Sequence, residues 1–336
     1  MFLENTVNIP LIIIIILVSL SFLVLNLILG ILVIINILII YLVNHRVAKK
    51  LFYSMWRRTD KNQFERKCSN ESIDYHLDMY NQGLAWRDIN KEYRHKVSIV
   101  SDGFKLYGEY YDFGNKKTVI IIPGRSETCY YGAYYGEVFK KNGYNYLTFD
   151  QRSHGISEGI YNTIGINEHR DIIAWSKYLQ EKSNQETIVL YGICSGATCA
   201  CFTLTSPDCP SFIKGFISDG MYYSFFETFR EHIKQRKKPV YPVIWHFFRL
   251  FKKYAHVNPY SAAPSKMVQN IRVPMLLING EDDIFALPKY AKKLYEKAGS
   301  SSKTLALIHG ARHSHTRYDN KPEFDYQVSN FLHNIK

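Results

Sequence analysis

Strands alternating with helices from residue 117 onward predict an α/β fold, a mostly parallel sheet wound on both faces. Three observations carry this. Six short apolar runs have the length of buried strands: Lys117–Ile122, Tyr144–Phe149, Thr187–Tyr191, Phe212–Ser218, Val273–Ile278 and Thr304–Ile308. Segments of helical length with polar faces separate most of them. One run closes in a glycine-bracketed turn, Gly192-Ile-Cys-Ser-Gly196, followed by a helix-capable stretch, Thr198–Leu204. The chain has 336 residues, enough for one sizeable core with insertions after an apolar N-terminal segment. The composition is globular, and no internal repeat stands out.

That N-terminal segment, Leu11–Val43, is almost unbroken Ile, Leu and Val with no charged residue. Its polar members are Ser19, Ser21, Asn26, Asn36 and Tyr41. As a helix it would measure roughly 50 Å against a hydrocarbon core of about 30 Å, so it is expected to span once. Each arm around Gly30 is short for a second span. A signal peptide does not fit: no Lys or Arg precedes the run, it is too long, and no small-residue cleavage site follows. Positive charge begins on its C-terminal flank at Arg46, which predicts a transmembrane anchor over residues 1–44 with a cytoplasmic domain behind it.

Residues 45–67 hold eight Lys and Arg against Asp60 and Glu65, half of the net charge of +12. A basic block directly behind an apolar segment points to a membrane surface rather than to nucleic acid. Val47, Leu51 and Met55, with Ala48, Phe52 and Trp56, form an apolar stripe at i, i+4 spacing. Two readings stand here: a helix lying on the membrane, or a solvated helix joining anchor to domain. Residues 68–94 are mixed and polar and predict a helical segment packed on the main domain, so that 45–94 form a juxtamembrane unit and 95–336 the domain itself.

From His95 the pattern changes. Lys96–Ser101 and Phe104–Asp112 flank Asp102-Gly103 and read as a hairpin. A helical stretch follows Pro123-Gly124-Arg125, a polar loop covers Asp150–Gly159, and Asn167–Glu181 reads as a helix. Residues 220–266 break the rhythm: they are rich in aromatics (among them Tyr222, Tyr223, Phe225, Phe226, Phe229, Tyr241, Trp245, Phe247, Phe248 and Phe251) and in Lys and Arg. An insert over the C-terminal ends of the strands is where a lid sits. The alternative is a helical excursion whose aromatics pack on the core. Alternation resumes with a helix at Ala286–Ala298 and ends with one near Pro322–Ile335.

The six cysteines, at 68, 129, 194, 199, 201 and 209, show no secreted-scaffold spacing, and free thiols in a reducing compartment are expected. Cys199 and Cys201 would point to different faces of a helix, so no metal site is expected, nor any cofactor.

The chemistry centres on Gly192-x-Cys194-x-Gly196. In the G-x-S-x-G elbow the middle residue sits on a strained turn, and a Cβ at either flank would clash. Here that middle residue is Cys194. Five motifs occur in order: Pro123-Gly-Arg-Ser-Glu127, Asp150-Gln-Arg-Ser-His-Gly-Ile-Ser-Glu-Gly159, the Cys194 frame, Pro274-Met-Leu-Leu-Ile-Asn-Gly-Glu-Asp-Asp283 and Gly310-Ala-Arg-His313. Over residues 95–336 the sequence resembles the α/β-hydrolase superfamily, in its lysophospholipase, monoacylglycerol-lipase and serine-aminopeptidase-like branch, with cysteine at the nucleophile position.

The resemblance implies a nucleophile–acid–base order of Cys194, Asp283 and His313. Asp219 ends a neighbouring strand and is an alternative acid. Asp282 reads as a turn residue and His315 as a surface-loop histidine, although each sits beside the residue it could replace. The oxyanion hole of similar enzymes implies the backbone N–H groups of Arg125 and Ser195. The polar loop Asp150–Gly159 is expected to be structural. A thiolate is favoured beside an imidazolium or at a helix N-terminus, and both would adjoin Cys194. The implied function is cleavage of an ester, thioester or amide of a lipid-like substrate, or transfer of its acyl group. From a different class, a catalytically silent fold that binds a ligand at the membrane also fits, with Cys194 a small buried hydrophobe.

Overall fold

A computed structural model describes residues 9–58, Arg66, Cys68 and 72–335. Of the basic block, Asp60, Lys61, Glu65 and Lys67 lie outside the described residues. The elements run α1 (Ile9–Met55), α2 (Asp74–Ile89), β1 (Arg94–Ser101), β2 (Phe104–Tyr111), β3 (Lys117–Ile122), α3 (Cys129–Gly132), α4 (Gly136–Lys141), β4 (Asn145–Phe149), α5 (Glu168–Ser183), β5 (Thr187–Ile193) and α6 (Ser195–Thr205). The second half adds β6 (Ile213–Asp219), α7 (Phe225–Gln235), α8 (Val243–Leu250), β7 (Met275–Gly280), α9 (Pro288–Lys297), β8 (Lys303–Ile308), α10 (Thr316–Asp319) and α11 (Lys321–His333).

All eight strands join one sheet in the order β1-β2-β4-β3-β5-β6-β7-β8. β1 and β2 form the hairpin at Asp102-Gly103, where both residues take positive φ. β2 pairs antiparallel with β4, and from β4 through β8 every pairing is parallel. The buried strands alternate faces as the pleat requires. Ile120 and Ile122 of β3 and Ile188 and Leu190 of β5 face one core with Trp175 and Leu179 of α5 and Ala197 of α6. Val119, Ile121, Val189 and Tyr191 face the other, with Met79 of α2, Phe139 of α4 and Phe324 of α11. This is the doubly wound arrangement predicted. The helix expected after Arg125 is broken instead, with a 3-10 turn at Ala133–Tyr135 between α3 and α4.

The N-terminal helix departs from expectation. Anchor and basic segment form one continuous helix, α1, to Met55. From Ile13 to Val43 every large apolar side chain is at least 44% exposed, and by length and composition this stretch can cross a membrane. Beyond it one face of the helix is buried against the domain while Arg46, Lys49, Lys50 and Ser54 stay exposed. Ala48 and Phe52 are fully buried and Trp56, just past the helix, nearly so. The Phe52 ring lies 5.0 Å from that of Phe251, and Trp56 lies 5.3 Å from Phe247 and 5.4 Å from Phe225. The apolar stripe is real, but its partner is the 220–266 insert. Its aromatics form a third cluster with α1, and only some of them also wall the central cavity. The chain after α1 is pinned as well: Arg58 N–H donates to the Ile160 carbonyl (2.7 Å), and its guanidinium to the carbonyls of Gly155 (2.6 Å) and Ser157 (2.8 Å).

Phe52 therefore staples the insert. Replacing it with alanine removes a buried ring at a cost of about 3–5 kcal/mol. In detergent, Phe52→Ala should speed tryptic cleavage around Lys237 and Lys238, while the far-UV circular dichroism of the sheet stays intact. Unchanged cleavage kinetics would show that the insert does not depend on α1.

Candidate active site

β5 ends at Ile193, and the next residue, Cys194, takes φ +52° and ψ −113° before α6 begins at Ser195. The turn is forced by close approach on both sides. A Cβ on Gly196 would collide with the carbonyl oxygens of Ile122 and Pro123, and one on Gly192 with the backbone of Ala197. The Cys194 N–H donates to the Asp219 carbonyl (2.8 Å), which fixes the elbow against β6. A non-glycine residue held here stores strain and lifts its side chain above the strand ends.

Asp283 and His313 follow β7 and β8 and meet at the same edge. His313 Nδ1 lies 2.6 Å from Asp283 Oδ2. The other carboxylate oxygen of Asp283 accepts the N–H groups of Phe285 and Ala286, both at 2.7 Å. With Nδ1 engaged, Nε2 is the ring nitrogen left for Cys194, whose sulfur is within hydrogen-bonding reach of the ring. Burial alone would lower the His313 pKa, but the Asp283 carboxylate and the Cys194 sulfur together raise it well above that of an ordinary imidazole.

The alternatives fall elsewhere. Asp219 is fully buried, and its Oδ2 accepts from Tyr191 Oη (2.8 Å) and Thr316 Oγ1 (2.6 Å), not from the imidazole. Burial pushes its carboxyl up to about 6. Asp282 is an exposed turn residue. His315 is not on a surface loop. It is 6% exposed, its Nδ1 donates to the His313 carbonyl (2.7 Å), and its Nε2 faces His76 Nδ1 on α2 (3.1 Å).

The turn Pro123–Ser126 is held from three directions. Glu127 accepts the Gly124 N–H (2.8 Å), His154 Nε2 accepts the Ser126 N–H (3.2 Å), and Gln151 donates to the Pro123 carbonyl. Proline has no N–H, and its neighbours' donors are taken, so the Arg125 N–H remains. Among the described residues, neither it nor the Ser195 N–H has a protein acceptor. His154 can accept at Nε2 because its Nδ1 faces the Arg152 carbonyl (3.1 Å), and burial lowers it to about 4, which keeps it neutral. The polar loop thus acts through position. Glu127 and His154 lie inside quoted motifs, but nothing in their spacing announces these bonds.

Above Cys194 lies a cavity of ≈ 540 Å³. Tyr222, Phe225 and Phe229 of the insert wall it on one side, and Leu51, Met55 and Trp56 on another. Of the insert's Lys and Arg, Arg236 reaches the lining. The contribution of the N-terminal helix to the cavity has no sequence signal beyond an unassigned apolar stripe.

Glu127 is nine-tenths buried beside these groups, and burial raises its carboxyl to about 7 from 4.5. Between those values the folded state binds the extra proton, so this group makes the fold less stable as pH rises through that window. An amide keeps the acceptor for Gly124 without the charge. Glu127→Gln should therefore gain on the order of 1–3 kcal/mol over wild type at pH 8 and little at pH 5. Unfolding midpoints at the two pH values check this, and equal shifts at both would refute it.

Residues 117–242 match the family model of the alpha/beta hydrolase fold, and residues 261–319 that of serine aminopeptidase, S33. Among solved structures, an esterase of Pyrococcus furiosus superposes with a TM-score of 0.61 at 26% identity, over 72% of this chain and 91% of that one. An acylaminoacyl peptidase of Pyrococcus horikoshii shares the fold alone: TM-score 0.53 at 15% identity, over 71% of this chain and 40% of that one. Among curated sequences, the uncharacterized protein YqkD of Bacillus subtilis is 24% identical over 223 residues, 65% of this chain and 72% of its own. The sheet order, the strained turn after β5 and these matches agree: the chain has the α/β-hydrolase fold and is similar to hydrolases of that superfamily.

Proposed function

We propose that this protein is a membrane-anchored hydrolase that cleaves an ester, thioester or amide of a lipid-like acyl substrate through an acyl-thioenzyme on Cys194. The observation that carries the reading is the 2.6 Å His313–Asp283 hydrogen bond beside Cys194 on its strained turn, at the floor of an apolar cavity. The esterase activity in the name of the Pyrococcus furiosus neighbour supports the reaction class.

The steps follow from the groups present. The Cys194 sulfur attacks the substrate carbonyl carbon and its proton resides on His313 Nε2. The carbonyl oxygen becomes an oxyanion against the N–H groups of Arg125 and Ser195. Collapse of this intermediate expels the alcohol, thiol or amine, which takes the proton from His313. Water then gives a proton to His313 and attacks the thioester. The second tetrahedral intermediate releases the carboxylic acid and returns the thiol. Asp283 holds the ring in the tautomer this requires and stabilises the imidazolium. Asp219 is assigned no part in proton transfer, because its bonds go to Tyr191 and Thr316.

The long exposed apolar helix supports the anchor, and the positive flank from Arg46 supports a cytoplasmic domain. Protease added outside intact cells should then leave residues 95–336 uncut, and digestion of them would reverse the orientation.

The chemistry is tested on the full chain in detergent with esters, thioesters and amides of graded chain length. Cys194→Ala should lower turnover by at least about 1000-fold, and wild type should show an acyl adduct on Cys194 by mass spectrometry. At pH 7, His313→Ala should slow iodoacetamide alkylation of Cys194, read by peptide mapping, by about tenfold or more. No adduct, together with equal alkylation rates, would favour a silent binding fold instead.

A further inference from the structure

We infer that the Arg125 guanidinium is an anion-binding subsite of the cavity, and that the ligand is an acyl amphiphile carrying a carboxylate or phosphate close to its scissile bond. The inference deepens the hydrolase reading and takes its substrate class from it.

Arg125 does two separable things. Its backbone N–H belongs to the turn facing Cys194, while its side chain enters the cavity and lies over the Trp56 ring, 5.2 Å from the ring centroid. Its hydrogen bond is to Ser126 Oγ, 3.1 Å from Nη1. Among the described residues no carboxylate comes within ion-pair distance of it, in contrast to Arg66, Arg87, Arg152 and Arg317, each paired with an acid. A guanidinium offers five donors in a rigid fork, and here most of them are free to face the cavity.

The surroundings do not neutralise it. His154 and His232 are both held neutral, lowered to about 4 chiefly by burial. Glu127, raised to about 7, is a weak counter-charge near neutrality and spends one oxygen on Gly124. A desolvated cation without a partner is costly, and a ligand oxyanion placed there would remove that cost. The Trp56 ring backs the guanidinium, and a guanidinium fork suits two oxygens of one carboxylate or phosphate. Arg236, just past α7, lines the same cavity and adds positive potential. The aromatic walls take the apolar chain, so head and chain are recognised on different surfaces. Because the fork springs from the same residue as an oxyanion donor, the anionic group must lie within a side chain's length of the carbonyl under attack.

Binding is measured without turnover, in Cys194→Ala protein with intact α1 in detergent. The probes are octanoate, monooctyl phosphate and octanol, followed by calorimetry. Both anions should bind about tenfold or more tighter than octanol. Adding Arg125→Met keeps the backbone N–H and an apolar side chain over Trp56, and should bring the anions down to the level of octanol while leaving octanol unchanged. Adding Arg125→Lys instead keeps a point charge and should retain part of the preference, which guards against a misfolded Met variant. The two anions also tell carboxylate from phosphate heads. Equal affinity for all three probes, or an anion preference that survives Arg125→Met, would overturn the inference. Those outcomes are independent of Cys194 chemistry: an inert Cys194 with the preference intact would defeat only the hydrolase reading.

Discussion

The site depends on the contact between the end of β3 and the start of α6. Gly196 brings the helix backbone against the carbonyls of Ile122 and Pro123, where no side chain fits. That contact bends the chain sharply at Cys194. It also sets the Ser195 N–H at the N-terminus of α6 beside the turn that carries the Arg125 N–H. Two strands and one helix therefore meet at a junction that only glycines at 192 and 196 permit, and in the proposed reaction the oxyanion donors are backbone groups of that junction rather than mobile side chains. Preorganisation of this kind adds no reorganisation cost at the moment of reaction.

Three acids near this junction differ in what they bond. Asp283 has both oxygens committed, one to two backbone N–H groups and the other to His313. Asp219 is turned away to two hydroxyls. Glu127 ties down the Gly124 N–H. Burial raises both Asp219 and Glu127, so less negative charge stands beside Cys194 near neutrality than three ordinary carboxylates would bring. Geometry rather than residue type decides which acid orients the imidazole. The chain order of the motifs points to Asp283 but leaves Asp219 open, because both follow neighbouring strands of one parallel sheet.

Much of this was legible in the residues, and for identifiable reasons. The interior strands are uninterrupted apolar runs, so β3 was placed to the residue and the others within about two, the usual uncertainty of element ends. Cys194 stood out because glycines at fixed offsets have a steric reason. What could not be read was partnership across space. His315 looked like a loop histidine because nothing in its neighbourhood foretells His76, some 240 positions away. Glu127 and His154 sat in plain view, yet their work is to accept backbone N–H groups, and any backbone N–H looks alike in sequence. The aromatics of the insert are plain in the sequence, but the third cluster they share with α1 is not, since an amphipathic stripe names a face and not its partner.

That cluster changes what the N-terminal helix is. A helix of 47 residues is about 70 Å long, more than twice a hydrocarbon core. The surplus is not idle: its last turns supply Leu51 and Met55 to the cavity, and Trp56, the next residue, lies under the Arg125 fork. Farther up the same helix, Tyr41 meets His246 of α8 edge to face at 4.7 Å. The insert therefore runs beside α1 from the end of the apolar stretch down to the cavity wall. In the proposed anchored state, the distance between bilayer and nucleophile is set by one rigid rod and not by a flexible linker. One helix thus supplies both the long exposed apolar stretch and part of the cavity wall.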